Sequence, residues 1–122
     1  MANQNIAKLS TLYAQNKIFS QIDVDYTDLL TCESGTSIKV NSLYITNNNL
    51  CSVPTSINLA INDLNRETYI VKELVVPYQT VIILIDKESP IYLEEYETLK
   101  LNSSIGPTID AMINYDVMKE KS

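Results

Sequence analysis

The chain has 122 residues, 15 acidic against nine basic side chains, a net charge of −6, and neither histidine nor tryptophan. That length suits a single domain whose core needs no staples. The acidic balance argues against a nucleic-acid grip, which needs clustered Lys and Arg to displace counterions. The missing histidine removes the commonest general base and the commonest metal ligand.

No apolar run approaches the roughly 18 residues of a membrane-spanning helix. Residues 1–10, MANQNIAKLS, lack a basic region followed by an apolar core, so no secretion signal is expected. The two cysteines, Cys32 and Cys51, are read as free, buried thiols, because a small secreted scaffold usually carries more of them, with a disulfide between them as the alternative.

In chain order, residues 6–13 suggest a short edge strand. Residues 16–25 place Ile18, Phe19, Ile22 and Val24 with no clean period of 2 or 3.6. Residues 1–25 are therefore read as an N-terminal arm that orders by strand addition to a neighbour. Deleting residues 1–20 is then expected to abolish assembly while leaving a cooperatively melting domain.

Residues 26–32 read as a strand and residues 33–36 as a turn, with Gly35 free to adopt positive φ. Residues 36–46 form a long strand whose apolar phase slips at Asn41 and Ser42. A β-bulge there returns Ile38, Val40, Leu43 and Ile45 to one face. Asn47, Asn48 and Asn49 read as a turn. Pro54 opens a strand in which Ile57, Leu59 and Ile61 alternate with a wet face of Asn58, Ala60 and Asn62.

Residues 67–101 hold the densest β-branched and aromatic runs, divided by turns at Pro77, at residues 86–90 and at the acidic residues 94–97. Residues 109–117 alternate again, and the last residues form a charged tail. About eight strands at regular spacing, with no long amphipathic helix, predict an all-β two-sheet antiparallel β-sandwich, Ig-like or jelly-roll-like, over residues 26–118. A small barrel is the alternative.

Glu94, Glu95 and Glu97, with Asp86 and Glu88 nearby, match no calcium-loop spacing and read as a solvated loop. Cys32 has no histidine to activate it and reads as a core thiol. No catalytic, cofactor or metal residue is expected, and the chain is read as non-enzymatic. Tyrosine, with eight copies, pairs an apolar ring with a polar tip and suits interfaces. Tyr13 and Phe19 in the arm, and Tyr78 and Tyr96 at turns, are the residues expected to meet a partner. The sequon at Asn102 reads as chance.

Two segments carry a resemblance. One runs from Leu29-Leu30-Thr31-Cys32-Glu33-Ser34-Gly35-Thr36 into a strand ending at Asn47. The other joins Leu74-Val75-Val76-Pro77 to Leu93-Glu94-Glu95. Over residues 26–117 the chain resembles small β-sandwich virion structural proteins of tailed bacteriophages, marine and cyanobacterial phages included. It departs at Ser34, where that group usually has Pro, at Tyr96-Glu97, where it has Gly-Asp, and at Asn114-Tyr115-Asp116 in the terminal motif.

The resemblance implies an accessory component of the head or neck: a capsid decoration protein, or a collar or fibre-anchoring protein. It would be assembled in the host bacterial cytoplasm and would form a homo-oligomer, ring or lattice. Its expected partners are the major capsid, portal, neck or tail proteins, with no nucleic acid and no membrane. The alternative is a carbohydrate- or host-surface-binding sandwich.

Overall fold

The structure is a computed structural model and describes residues 9–48, 54–63, 65–106 and 108–120. Nine strands and no helix are found among them: β1 (Leu9–Ile22), β2 (Thr27–Thr31), β3 (Thr36–Asn47), β4 (Thr55–Asn62), β5 (Glu67–Val76), β6 (Val81–Ile85), β7 (Ile91–Leu93), β8 (Thr98–Ser103) and β9 (Ile109–Glu120).

The pairing is nested. β4 runs antiparallel to β5, β3 to β6 and β7, β2 to β8, and β1 to β9. The chain is one long hairpin with its tip at the loop after β4. Folding that hairpin over sets β9 beside β3 and β8 beside β4. Sheet A then has the order β1-β9-β3-β6, with β7 also on β3, and sheet B the order β2-β8-β4-β5. This is a jelly roll, the double-Greek-key form of the expected two-sheet sandwich.

The core lies between the sheets. Leu43, Ile45, Ile109 and Ile113 from sheet A meet Leu29, Ile57, Leu59, Leu99 and Leu101 from sheet B, all fully buried. Each such side chain stabilises by roughly 1.5–3 kcal/mol relative to exposure. The expected bulge in β3 is present: the register with β9 shifts between Val40 and Ser42, and Ile38, Val40, Leu43 and Ile45 all reach the core.

Four local expectations are corrected. The edge strand expected over residues 6–13 is present from Leu9, but residues 16–22 are not an irregular arm: they continue it as one 14-residue strand, Leu9–Ile22, paired along β9. Its broken apolar pattern has a cause: the register shifts between Phe19 and Ile22, Gln21 sits at φ 59, and the kink drops Ile22 into the core. The carboxylate of Asp110 holds that kink by accepting the Gln21 N–H at 2.9 Å.

The charged tail is also strand as far as Glu120, because β9 is hydrogen-bonded on both sides. Asn47 is not a turn residue but the buried last residue of β3, donating to the Val76 carbonyl at 2.9 Å. Ala60 is not wet. It is buried opposite Tyr69 and Lys100, where the Lys100 ammonium lies 4.3 Å from the Tyr26 ring centre and pairs with Glu67.

Candidate functional site

The outer face of sheet A carries the most organised surface, and strand register fixes its rows. Side chains directly opposite one another share a face. Ile18, Met112, Tyr44 and Ile83 stand opposite in turn and form an apolar row across four strands. Ala14, Asp116, Lys39 and Tyr92 form a second row. Between them lies a polar row of Asn16, Asn114 and Ser42, with Asn41 added by the bulge.

Two features deepen the polar row into a cleft. The bulge crowds Asn41 and Ser42 into one register position. The edge strand also stops at the same level: β6 pairs residues 43–46 of β3 and β7 pairs residues 38–40, while residues 86–90 loop out between them. A cavity of about 650 Å³ opens there, lined by Asn41, Ser42, Tyr44, Asn114 and the loop residues Asp86, Lys87 and Glu88. A second cavity of about 300 Å³ continues toward β1 past Asn16 and Asp116, and shares Asn41 and Asn114 with the first.

The lining is held in place. Asn114 Nδ2 donates to Ser42 Oγ at 2.6 Å, and Asn41 Nδ2 donates to an Asp116 carboxylate oxygen at 3.1 Å. In the loop, Asp86 Oδ1 accepts the N–H groups of Glu88 and Ser89 at 3.0 and 3.1 Å. Sequence reasoning used Asn41 and Ser42 only as a bulge. The bulge was itself the available signal, since bulges often re-aim side chains at binding sites.

The four aromatic residues expected to meet a partner do not converge. Phe19 packs against the core. Tyr13 lies in β1 opposite Val117, and its backbone pairing places it there. Tyr96 sits beside the start of β3, its N–H donating to the Cys32 carbonyl, whereas the turn holding Tyr78 is tied to Asn47 at the far end of that strand. The two exposed tyrosines are thus about 35–40 Å apart along a 12-residue strand.

The acidic turn is locked by its own side chains. Glu94 N–H donates to Glu97 Oε1 at 2.7 Å, and Gly35 N–H donates to Glu95 Oε2 at 2.8 Å. Among the described residues no cluster of three metal-ligating groups is present. Tyr96 takes φ 71. A left-handed non-glycine residue costs roughly 1–2 kcal/mol, so Tyr96→Gly is expected to raise stability by about 1 kcal/mol after the added backbone entropy of glycine. A chemical denaturation midpoint at or below that of the wild type would contradict this.

Cys32 is a free, fully buried thiol. Its sulfur lies 3.2 Å from the Thr36 carbonyl, and burial pushes its pKa up, with the Thr36 hydroxyl partly opposing. Cys51 lies outside the described residues. Asn102, the sequon residue, is half-buried and bonded to Val24 and Asn58. No helix among the described residues is long and apolar enough to cross a membrane.

In sequence, no family model and no curated protein matches the chain. In structure it is similar to a Bacillus endospore appendage protein from a family of disulfide-linked pili. The TM-score is 0.52 at 9% identity, covering 92% of this chain and 90% of the other. A xylanase 10B fragment of Clostridium thermocellum, comprising CBM22-1 and GH10 modules with xylohexaose, aligns at a TM-score of 0.35 and 10% identity. That alignment covers 91% of this chain but 26% of the other.

Proposed function

We propose that this chain is a non-enzymatic structural subunit that works in many copies joined through the ends of sheet A. The observation that carries this reading is the edge of β1, which is open among the described residues. That strand terminates the sheet and keeps unbroken register with β9 over residues 11–19. A long, regular edge offers main-chain groups to another strand. One of the two outer strands of sheet B, β5, is built differently. The two register shifts of β1 lie near its ends, whereas those of β5 against β4 fall in mid-strand, between Ile57 and Ala60, where exposed Lys72 and Glu73 stand, Glu73 with φ 53. Those are the devices that keep an edge from pairing.

At the other end of sheet A, β6 leaves Val81 and Ile83 62% and 56% exposed, and Ile18 on β1 is 72% exposed. Contact between two different edges of successive copies is heterologous, and it closes into a ring or continues as a filament. A chain of this fold, similar over nearly its whole length, comes from a pilus family, which supports the coarse reading. The disulfide links of those pili have no counterpart at Cys32, which is buried.

The finer form of the proposal is an accessory component of a tailed-phage head or neck, carried in the virion and docking on capsid, portal, neck or tail proteins. The motif likeness over residues 26–117 supports it. Light scattering and negative-stain microscopy over a concentration series test the assembly. The wild type is expected to exceed monomer mass, with Ile18→Lys and Val81→Lys monomeric at unchanged melting temperature. A wild type that stays monomeric into the millimolar range would overturn the reading. Absence of the protein from purified particles, by mass spectrometry scaled to the major capsid protein, would sink the virion form alone.

A further inference from the structure

We infer that the cleft across the outer face of sheet A is a binding site for a neutral oligosaccharide chain. This inference goes beyond the structural role and does not depend on which assembly carries the domain. Four observations converge on it: shape, lining chemistry, flanking rings and rigidity.

The cleft is elongated. The two cavities share Asn41 and Asn114 and together run from the residue 86–88 loop to Asn16 on β1. Crossing from β6 to β1 spans three interstrand spacings, about 14 Å. That suits an extended ligand of a few sugar rings, laid across the strands.

The lining is made of groups that recognise hydroxyls. The amides of Asn41 and Asn114 supply donors and acceptors, and the carboxylates of Asp86, Glu88 and Asp116 add further acceptors. Neighbouring hydroxyls on a sugar ring need that mixture. An anionic ligand does not fit, because three carboxylates face the cleft against the single ammonium of Lys87. A peptide strand does not fit either, because it would seek an open edge, whereas the cleft runs across the strands.

The flanks supply apolar faces. Tyr44, half-buried, belongs to the row on one side, and Tyr92, 55% exposed, to the row on the other. Tyrosine pairs a flat ring with a polar tip, as the mixed surface of a sugar requires.

The floor is pre-organised. Ser42 is buried beneath the cleft although its row faces outward, and it accepts from Asn114 at 2.6 Å. Asn41 is held by Asp116 at 3.1 Å. Side chains already fixed lose little entropy when a ligand arrives.

The test is a ¹⁵N–¹H titration of dilute, monomeric protein with neutral hexasaccharides of glucose, xylose, mannose and N-acetylglucosamine at millimolar concentration. Dilution keeps the result independent of the assembly proposal. At least one hexasaccharide is expected to shift residues 41–44, 86–88 and 112–116 in a saturable way. Asn41→Ala should weaken it tenfold or more at an unchanged melting temperature. The exposed Tyr92→Ala is the second variant, should Asn41→Ala disturb the bulge. No shifts with any of the four sugars, or shifts centred elsewhere, would overturn the inference.

Discussion

A protein lacking residues 1–20 should fail to melt cooperatively. The deletion removes nearly the whole of β1, which pairs with β9 from Leu9 to Ile22. It takes away Phe19, which packs on the core, and Gln15, whose side-chain oxygen accepts the Tyr115 hydroxyl at 3.0 Å. It leaves Ile22 in place, but on a chain end no longer anchored to the sheet. Truncating a fully buried core aromatic costs about 3–5 kcal/mol, of which the half-buried Phe19 accounts for a part, and a domain of this size holds only about 5–15 kcal/mol in total. The expected result is a collapsed species with poor amide dispersion and a shallow thermal transition. A truncated protein that keeps the wild-type melting temperature and denaturant slope would mean that β1 is a dispensable arm after all. Point variants on its exposed face are therefore the proper probes of assembly, since deletion would confuse loss of an interface with loss of fold.

The reason only the first part of β1 was legible in the sequence is physical. An edge strand is covered on one side by a single neighbour, and the inward face of β1 carries Gln15 and Lys17, both exposed. The apolar alternation that marks a half-buried strand therefore never develops there. The kink at Gln21 then shifts the phase just where Phe19 and Ile22 turn inward.

Central strands behaved otherwise. β3 and β9 are paired on both sides and packed on sheet B, so their patterns were clear, and even the slip at Asn41 and Ser42 pointed to the observed bulge. The cleft was hidden for a different reason. Asn16, Asn41, Asp86 and Asn114 sit on four different segments, and each alone is an ordinary solvent-facing polar residue. Only the register of β1, β9 and β3, with the interruption between β6 and β7, brings them together. The tyrosines were legible singly but not as a group. Each suited an interface by itself, but the fold places Tyr78 and Tyr96 at opposite ends of β3.

Gly106→Ala should cost about 2–3 kcal/mol, the upper range for forcing an atom into a packed site. A methyl carbon at Gly106 would lie 2.1 Å from the Asp23 carboxylate and 2.9 Å from the Asp23 backbone. The carboxylate can rotate away, but the backbone belongs to the crossover that carries the chain from β1 in sheet A to β2 in sheet B. That crossover is held closely. Ser103 N–H donates to the Asp23 carbonyl at 3.0 Å, the buried Ser103 Oγ to the Ile22 carbonyl at 3.1 Å, and Asn102 Nδ2 to the Val24 carbonyl at 3.0 Å. Alanine must therefore break some of these bonds or push Ile22 out of the core.

Gly35→Ala is the matched control. A methyl group there would meet nothing within 4 Å, but φ is 76, so its cost is conformational and about 1 kcal/mol. Asp23→Gly in the Gly106→Ala background should recover part of the loss, because the side-chain clash goes while the clash with the crossover backbone stays. If Gly106→Ala instead unfolds within about 0.5 kcal/mol of the wild type, a typical surface change, the loop does not press on the crossover. The anchoring of β1, and the geometry of the edge it offers to a neighbour, would then have to come from β9 alone.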